Sequence, residues 1–460
     1  MKRDFKMRTN EEMNNRFIAY RSYSLNNFAC IPQINALTAE QQFDIKVIGT
    51  VFPFKVNNYV VNELINWGNV PDDPIFRLTF PQKGMLAEQD YAEIAGALNR
   101  NASKEEIKEI ANRIRLRLNP HPAGQMELNV PEVNGVRLRG IQHKYPQTVL
   151  FFPGQGQTCH AYCTFCFRWP QFVGMDDMKF ATRDVEMLTN YIQNNKEVTD
   201  VLFTGGDPLI MSTANLHAYM DHLLLTKPEN LQTIRLGTKA LGYWPYRFIL
   251  DKDADDLLRL FERIVKSGIN LSIMAHFTHP AELETRAVKE AISRVRNTGT
   301  QIRTQSPVLR NINDDPGVWA DMWRKQVNLN CIPYYMFIPR DTGAQGYFAV
   351  PLVQAWNIFR KAYRQVSGIC RTVRGPSMSC TWGKIQLLGV SEIPMGTFTK
   401  KVMTLRFLQA RNPDWVARPF FAEYDEKAIW IDDLRPAFTD EGFFFEETKA
   451  KLSFENQLRK

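Results

Sequence analysis

Three of the seven cysteines, Cys159, Cys163 and Cys166, fall within eight positions in the pattern C-x3-C-x2-C. Thiolates so close in sequence can reach one metal centre from a single loop. A cubane iron–sulfur cluster takes four ligands, normally four thiolates. No fourth cysteine lies nearby, so one iron would keep an open position, able to chelate a small molecule through an amine and a carboxylate. The rival readings are a structural zinc and plain core thiols. Structural zinc prefers four protein ligands, commonly in C-x2-C pairs, and His160, adjacent to Cys159, is poorly placed to join the same ion. Cys30, Cys331, Cys370 and Cys380 are scattered, and each reads as a small buried apolar residue.

The elements that must position this loop follow from the hydrophobic pattern. From 148 to 366, β-type runs (148–152, 200–204, 233–237, 270–275, 301–305 and 332–337) alternate with amphipathic stretches near 183–195, 213–226, 254–266, 282–297, 316–328 and 352–366. In the fourth of these, Leu283, Ala287, Val288, Ala291, Ile292 and Val295 recur at helical spacing. Pro280 and Glu282 suit its start and Gly299 its stop. Six strand–helix units predict an α/β fold with a parallel sheet, open or rolled into a barrel. Ligand sites in such barrels lie beyond the carboxyl ends of the strands. The cysteines follow the first strand and a Gly-rich turn, and the second strand, VTDVLFT, runs straight into Gly205-Gly206-Asp207-Pro208. Residues 1–147 read as a mostly helical N-terminal layer, 148–366 as the core, and 367–460 as an aromatic-rich C-terminal extension, either a β-rich cap or an interface for a second subunit.

The net charge of +8 is modest and not blocky, so nucleic acid is not an expected partner. No stretch approaches the roughly 20 apolar residues that span a bilayer. The charged start lacks an apolar segment, which makes the cytoplasm the expected compartment.

The cysteine triplet with an aromatic residue before its last member, followed one strand later by Gly-Gly-Asp, resembles the radical S-adenosylmethionine superfamily. That resemblance implies a [4Fe–4S] cluster on Cys159, Cys163 and Cys166, with Phe165 against the adenine ring and Gly205, Gly206 and Asp207 positioning the cofactor. Within the superfamily the chain resembles the lysine 2,3-aminomutase family. The matching pieces are HKYPQTVLFF, CFR, FTGGDPL, IRLGTKA, AHFTHPAEL, TQSPVLRNIND and IPYYMF, spread over residues 70–380. This implies a partial (β/α)6 barrel with the cluster at its mouth. Thr238, His276 and Gln305 would contact or support S-adenosylmethionine, while Asp314 and Asp341 would face a substrate amine. It also implies a small amine-bearing substrate, an electron donor such as flavodoxin or ferredoxin, and a possible homo-oligomer.

The chain also departs from the family. Its members hold pyridoxal phosphate on a lysine after a glycine run, and no such run exists here. Lys384, Lys400 and Lys401 all read as surface lysines, with Lys400 or Lys401 nearest in chain order to the family's anchor. An arginine that grips the substrate carboxylate before the first barrel strand is replaced by Thr148. On the residues, pyridoxal phosphate is expected to be absent. That leaves a second reading open: a pyridoxal-independent dehydratase, epimerase or modifier of a peptide or nucleotide. An electron carrier or iron sensor is the non-enzymatic rival, and it would normally use a fourth cysteine.

Overall fold

A computed structural model describes residues 18–118, 125–175 and 179–446. Two short antiparallel pairs, β1 (Ser22–Ser24) with β2 (Lys55–Asn57) and β3 (Glu132–Val133) with β4 (Val136–Arg137), stand apart from the main sheet. The main sheet has eleven strands. They are β5 (Ile141–Tyr145), β6 (Thr148–Phe151), β7 (Asp200–Phe203), β8 (Thr233–Thr238), β9 (Asn270–His276), β10 (Gln301–Pro307), β11 (Ile332–Phe337), β12 (Arg374–Ser379), β13 (Gly383–Met395), β14 (Phe398–Ala410) and β15 (Pro419–Glu423), paired strictly in chain order.

From β6 to β12 every neighbour is parallel; β5 at one edge and β13, β14 and β15 at the other are antiparallel. The expected α/β barrel core therefore forms, with a seventh parallel strand beyond the six read from the sequence. Arg374–Ser379 was hidden because Gly375, Pro376 and two serines give a weak β signal. Its pairing with β11 is correspondingly thin, Tyr335 to Arg374 and Phe337 to Ser377 across an irregularity.

The helices between strands bury one stripe each. Helix Ala254–Lys266 packs Leu257, Leu258, Leu260, Phe261 and Ile264 inward, with Asp255 and Asp256 at its N-terminal turn and Arg263 and Lys266 in its last, matching the helix dipole. The helix expected from 282 starts later, at Arg286, capped by the Thr285 side chain. Pro280–Leu283 is a separate 3₁₀ turn, and Gly299 follows the helix with φ +84°.

In β8, Ile234, Leu236 and Thr238 are buried on one face while Thr233, Arg235 and Gly237 are only half-buried on the other. That second face encloses a lumen, because the sheet curls. Lys144 on β5 donates to the Cys380 carbonyl just past β12, and Arg411 after β14 donates to the Leu128 carbonyl and to Asn129. Helices Ala39–Val51, Glu88–Asn99 and Lys104–Arg117 belong to the N-terminal layer. Past 385, β13, β14 and β15 extend the sheet, and Phe445 packs edge to face on both Phe407 and Phe420, with Trp415 tilted against Phe407. Among the described residues no helix is long and apolar enough to cross a membrane.

Candidate active site

The cysteine loop is pinned from the N-terminal layer. Tyr162 N donates to Lys55 O (2.8 Å), Thr164 N to Leu78 O (3.0 Å), and Asn57 Nδ2 to His160 O (3.2 Å). Beneath it lies the loop after β7. Gly205 has φ +132°, a conformation that side chains rarely allow, and a Cβ on Gly206 would stand 2.4 Å from Thr158 O and 2.5 Å from Thr158 N. Asp207 N donates to Gly156 O (3.0 Å) and Thr158 O (2.8 Å). The two glycines are therefore required by close packing against the residues that lead into Cys159.

The Asp207 carboxylate is already occupied by the fold. It accepts from Thr238 Oγ1 (2.7 and 2.8 Å), Lys239 N (2.9 Å) and Leu209 N (2.9 Å), locking the β7 and β8 loops together. Thr238 is likewise turned to Asp207 rather than to the lumen. Both residues support the site from behind.

The three thiols lie within electrostatic reach of one another, and burial raises all three pKa values, Cys163 to about 12. Among the described residues no three His, Cys, Asp or Glu side chains are drawn together to hold a single metal ion. Each thiol has a cation beside it: Lys55 acts on Cys159, Lys239 on Cys163 and Arg168 on Cys166. Lys55 Nζ donates to Thr158 Oγ1 (3.1 Å). Lys239 Nζ pairs with the fully buried Glu282 (2.7 Å) and sits 4.2 Å from the Tyr243 ring. None of these cations was singled out from the sequence, although Arg168 stands two places after Cys166. Phe165 packs on His276 with ring centres 5.4 Å apart, and Gln305 lies directly beside His276 in the parallel register. The Nε2 of His276 and the Oε1 of Gln157 are buried without a partner. These unpartnered buried polar atoms suit a polar cofactor.

The other predicted residues separate. Asp314 accepts from Asn311 N (3.1 Å) and so braces its own loop. Asp341 follows Arg340, and burial raises its pKa. Lys400 pairs with Glu423 (3.1 Å), and Lys401 lies 3.6 Å from the Tyr424 ring, both on the outer hairpin. Lys384 is not a surface residue, which corrects the expectation. It lines a cavity of about 190 Å³ inside the lumen with Asp200, Arg235, Ser272, Arg303 and Tyr335, its Nζ 4.2 Å from the Tyr335 ring. Burial first, then Arg235, Arg340 and Arg374, lowers its pKa to about 7. Thr148 donates to Asp200 (3.2 Å), which also pairs with Arg235. Of the scattered cysteines, Cys331, Cys370 and Cys380 are buried as expected, but Cys30 is exposed.

A parallel barrel with a three-thiol loop and a Gly-Gly-Asp loop over one end defines a cofactor-dependent enzyme class, and similar sequences narrow it. No protein-family model matches the chain. Over 401 residues it is 30% identical to the "Putative L-lysine 2,3-aminomutase" of Aquifex aeolicus (strain VF5), covering 87% of this chain and 92% of that protein. It is 28% identical over 300 residues to the L-lysine 2,3-aminomutase of Methanococcus maripaludis, 65% of this chain and 58% of the relative. To the glutamate 2,3-aminomutase of Clostridioides difficile (strain 630) it is 28% identical over 197 residues, 43% of each chain. Among solved structures, a radical SAM methyltransferase from Sphaerobacter thermophilus aligns over 52% of this chain and 68% of its own, with 13% identity and a TM-score of 0.36. The chain belongs to the lysine 2,3-aminomutase family of radical S-adenosylmethionine enzymes. Membership makes it an aminomutase-like isomerase and implies a [4Fe–4S] cluster and S-adenosylmethionine.

Proposed function

We propose that this enzyme abstracts hydrogen from a small amine-bearing substrate and isomerises it, with Cys159, Cys163 and Cys166 as the three cluster ligands. The observation that carries the reading is the stacking of the thiol loop directly on the Gly205–Asp207 loop at the carboxyl ends of β6 and β7. A cluster held by Cys159, Cys163 and Cys166 would, with S-adenosylmethionine beside it, supply the radical chemistry that removes a substrate hydrogen. Lys55, Lys239 and Arg168 offset the negative charge of the thiolates, Phe165 and His276 form an aromatic wall, and Gln305 offers amide donors beside it.

Lys384 is the lysine suited to hold pyridoxal phosphate. A lysine nucleophile needs a desolvated pocket or a neighbouring cation to lower its pKa, and Lys384 has both. Tyr335 offers a ring to stack on, and Arg235, Arg303 and the unpartnered Ser272 hydroxyl offer donors for a phosphate. Lys400 and Lys401 lie on the outer hairpin, against Glu423 and Tyr424.

The test is anaerobic incubation of iron-reconstituted protein with reductant, S-adenosylmethionine and candidate amino acids labelled on carbon-bound hydrogen. Label should move into 5′-deoxyadenosine, and Cys163→Ala should lose both the brown cluster absorbance and the transfer. Full-occupancy zinc without iron uptake would sink the reading.

A further inference from the structure

We propose that the Tyr243 hydroxyl donates a hydrogen bond to the Cys163 thiolate in the cluster-loaded enzyme and so makes the cluster easier to reduce. Tyr243 is a positioning residue in this role, since it acts on the reaction only through the cluster. The inference rests on the radical-enzyme reading above and adds to it a residue that sets the reduction potential.

Tyr243 ends the short helix Ala240–Tyr243 that follows β8, and it is only 1% exposed. Asn57 Nδ2 donates both to Tyr243 O (2.9 Å) and to His160 O (3.2 Å), so one amide ties this residue to the cysteine loop. The ring lies 4.2 Å from Lys239 Nζ. Held on both sides, the hydroxyl is nevertheless buried without a hydrogen-bond partner. An unpaired buried hydroxyl is costly, and a phenylalanine would fill the same space without that cost. A thiolate acceptor would remove it. Burial raises the Cys163 pKa, while Lys239 and the Tyr243 hydroxyl pull it the other way. Burial first, and then the Cys163 thiol, keeps the phenol neutral and therefore able to donate.

The neighbouring donors are committed elsewhere. An ammonium has three N–H bonds, and Lys239 spends them on Glu282 Oε2 (2.7 Å), Thr278 Oγ1 (3.2 Å) and His276 O (3.3 Å). Lys239 thus reaches Cys163 through its field alone, and the Asn57 amide is taken by its two carbonyls. Cys166 has the backbone N–H of Arg168 to accept from. For Cys163 the unspent proton is that of Tyr243. Reduction adds one negative charge to a cluster and its sulfurs. A hydrogen bond to a ligating sulfur stabilises the reduced state more than the oxidised one, which raises the potential.

The test compares the iron-reconstituted enzyme with Tyr243→Phe in a redox titration followed by electron paramagnetic resonance, without S-adenosylmethionine. The variant should load the same iron per chain and be roughly threefold to tenfold harder to reduce, a fall of about 30–60 mV. Its iron-free form should melt at the same temperature or higher, because the substitution removes a hydroxyl that no protein group pairs with. A merely structural hydroxyl would do the reverse, lowering the melting temperature and leaving the potential alone. In a second protein, 3-fluorotyrosine at position 243 keeps the ring and sharpens the donor, and the potential should rise. If Tyr243→Phe takes up no iron, this second protein decides. An unmoved potential in either loaded protein, or a rise in Tyr243→Phe, would overturn the proposal. Zinc in place of iron would sink the radical-enzyme reading and this one with it, whereas a normal cluster with an unmoved potential sinks this inference alone.

Discussion

At Lys384 the surroundings penalise the charged amine. Desolvation and three arginines act against the ammonium, and Tyr334 offers the main counterweight. The sign follows from proton counting. The folded pKa, about 7, lies below the ordinary lysine value of 10.5, so between these limits the unfolded chain binds more protons than the folded one. Stability should therefore rise with pH across that window. Urea unfolding at pH 7 and pH 9 should show this slope, and Lys384→Met should flatten it. Reactivity has the same origin: pyridoxal phosphate with borohydride near pH 8 should label Lys384, with the yield falling below about pH 7. Peptide mapping that finds the label on Lys400 or Lys401 would reject Lys384 as the anchor. Glu282 shows the opposite case, a buried charge that is satisfied. It accepts from Thr278 N (2.7 Å), His279 N (3.1 Å) and Lys239 Nζ. Glu282→Gln leaves Lys239 buried without its counter-charge and should cost roughly 3–5 kcal/mol in denaturant unfolding, the range for breaking a buried pair.

Among the elements, the loop after β7 is the least tolerant of change. Gly206→Ala drives a methyl into the backbone of Thr158, so the two loops must part. Overpacking of this kind costs typically 1–3 kcal/mol. The variant should therefore melt lower and bind less iron per chain, because the displaced backbone leads into Cys159. Retention of full iron content would show that the loops move independently. Strands and helices of the core were legible in the sequence because each is buried on a defined side. Helices Thr213–Thr226, Ala254–Lys266 and Pro316–Asn328 and strand Ile332–Phe337 sit on the residues their periodicity marks. The thiols and the Gly-Gly-Asp turn were legible because they are contiguous. Asp207 was legible as important but for a different reason, since its oxygens bind backbone and Thr238. Lys55, Tyr243 and Arg340 were not legible. Their meaning comes from what lies across the lumen, in another layer or on a neighbouring loop, and no local pattern carries that.

Over the whole molecule, the C-terminal hairpin decides whether the sheet ends safely. β13 and β14 pair over thirteen residues each, and β14 is covered in turn by β15. A chain cut after Met395 would leave β13 as a long bare edge, which templates pairing with other chains. Such a truncation should elute as aggregate in size-exclusion chromatography. Elution of the truncated chain at the full-length position would show that β13 does not need its partners.

The same hairpin has a consequence for synthesis. Lys384 and the wall it belongs to are translated more than two hundred residues after Cys166. At about 5–20 residues per second, that delay is on the order of 10–40 s. During it the growing chain already carries its thiol loop while the side of the lumen that the last strands will shut stands open. Iron can be delivered through that doorway before the room has its fourth wall, and the chain lacks both Lys384 and a closed chamber until the wall arrives.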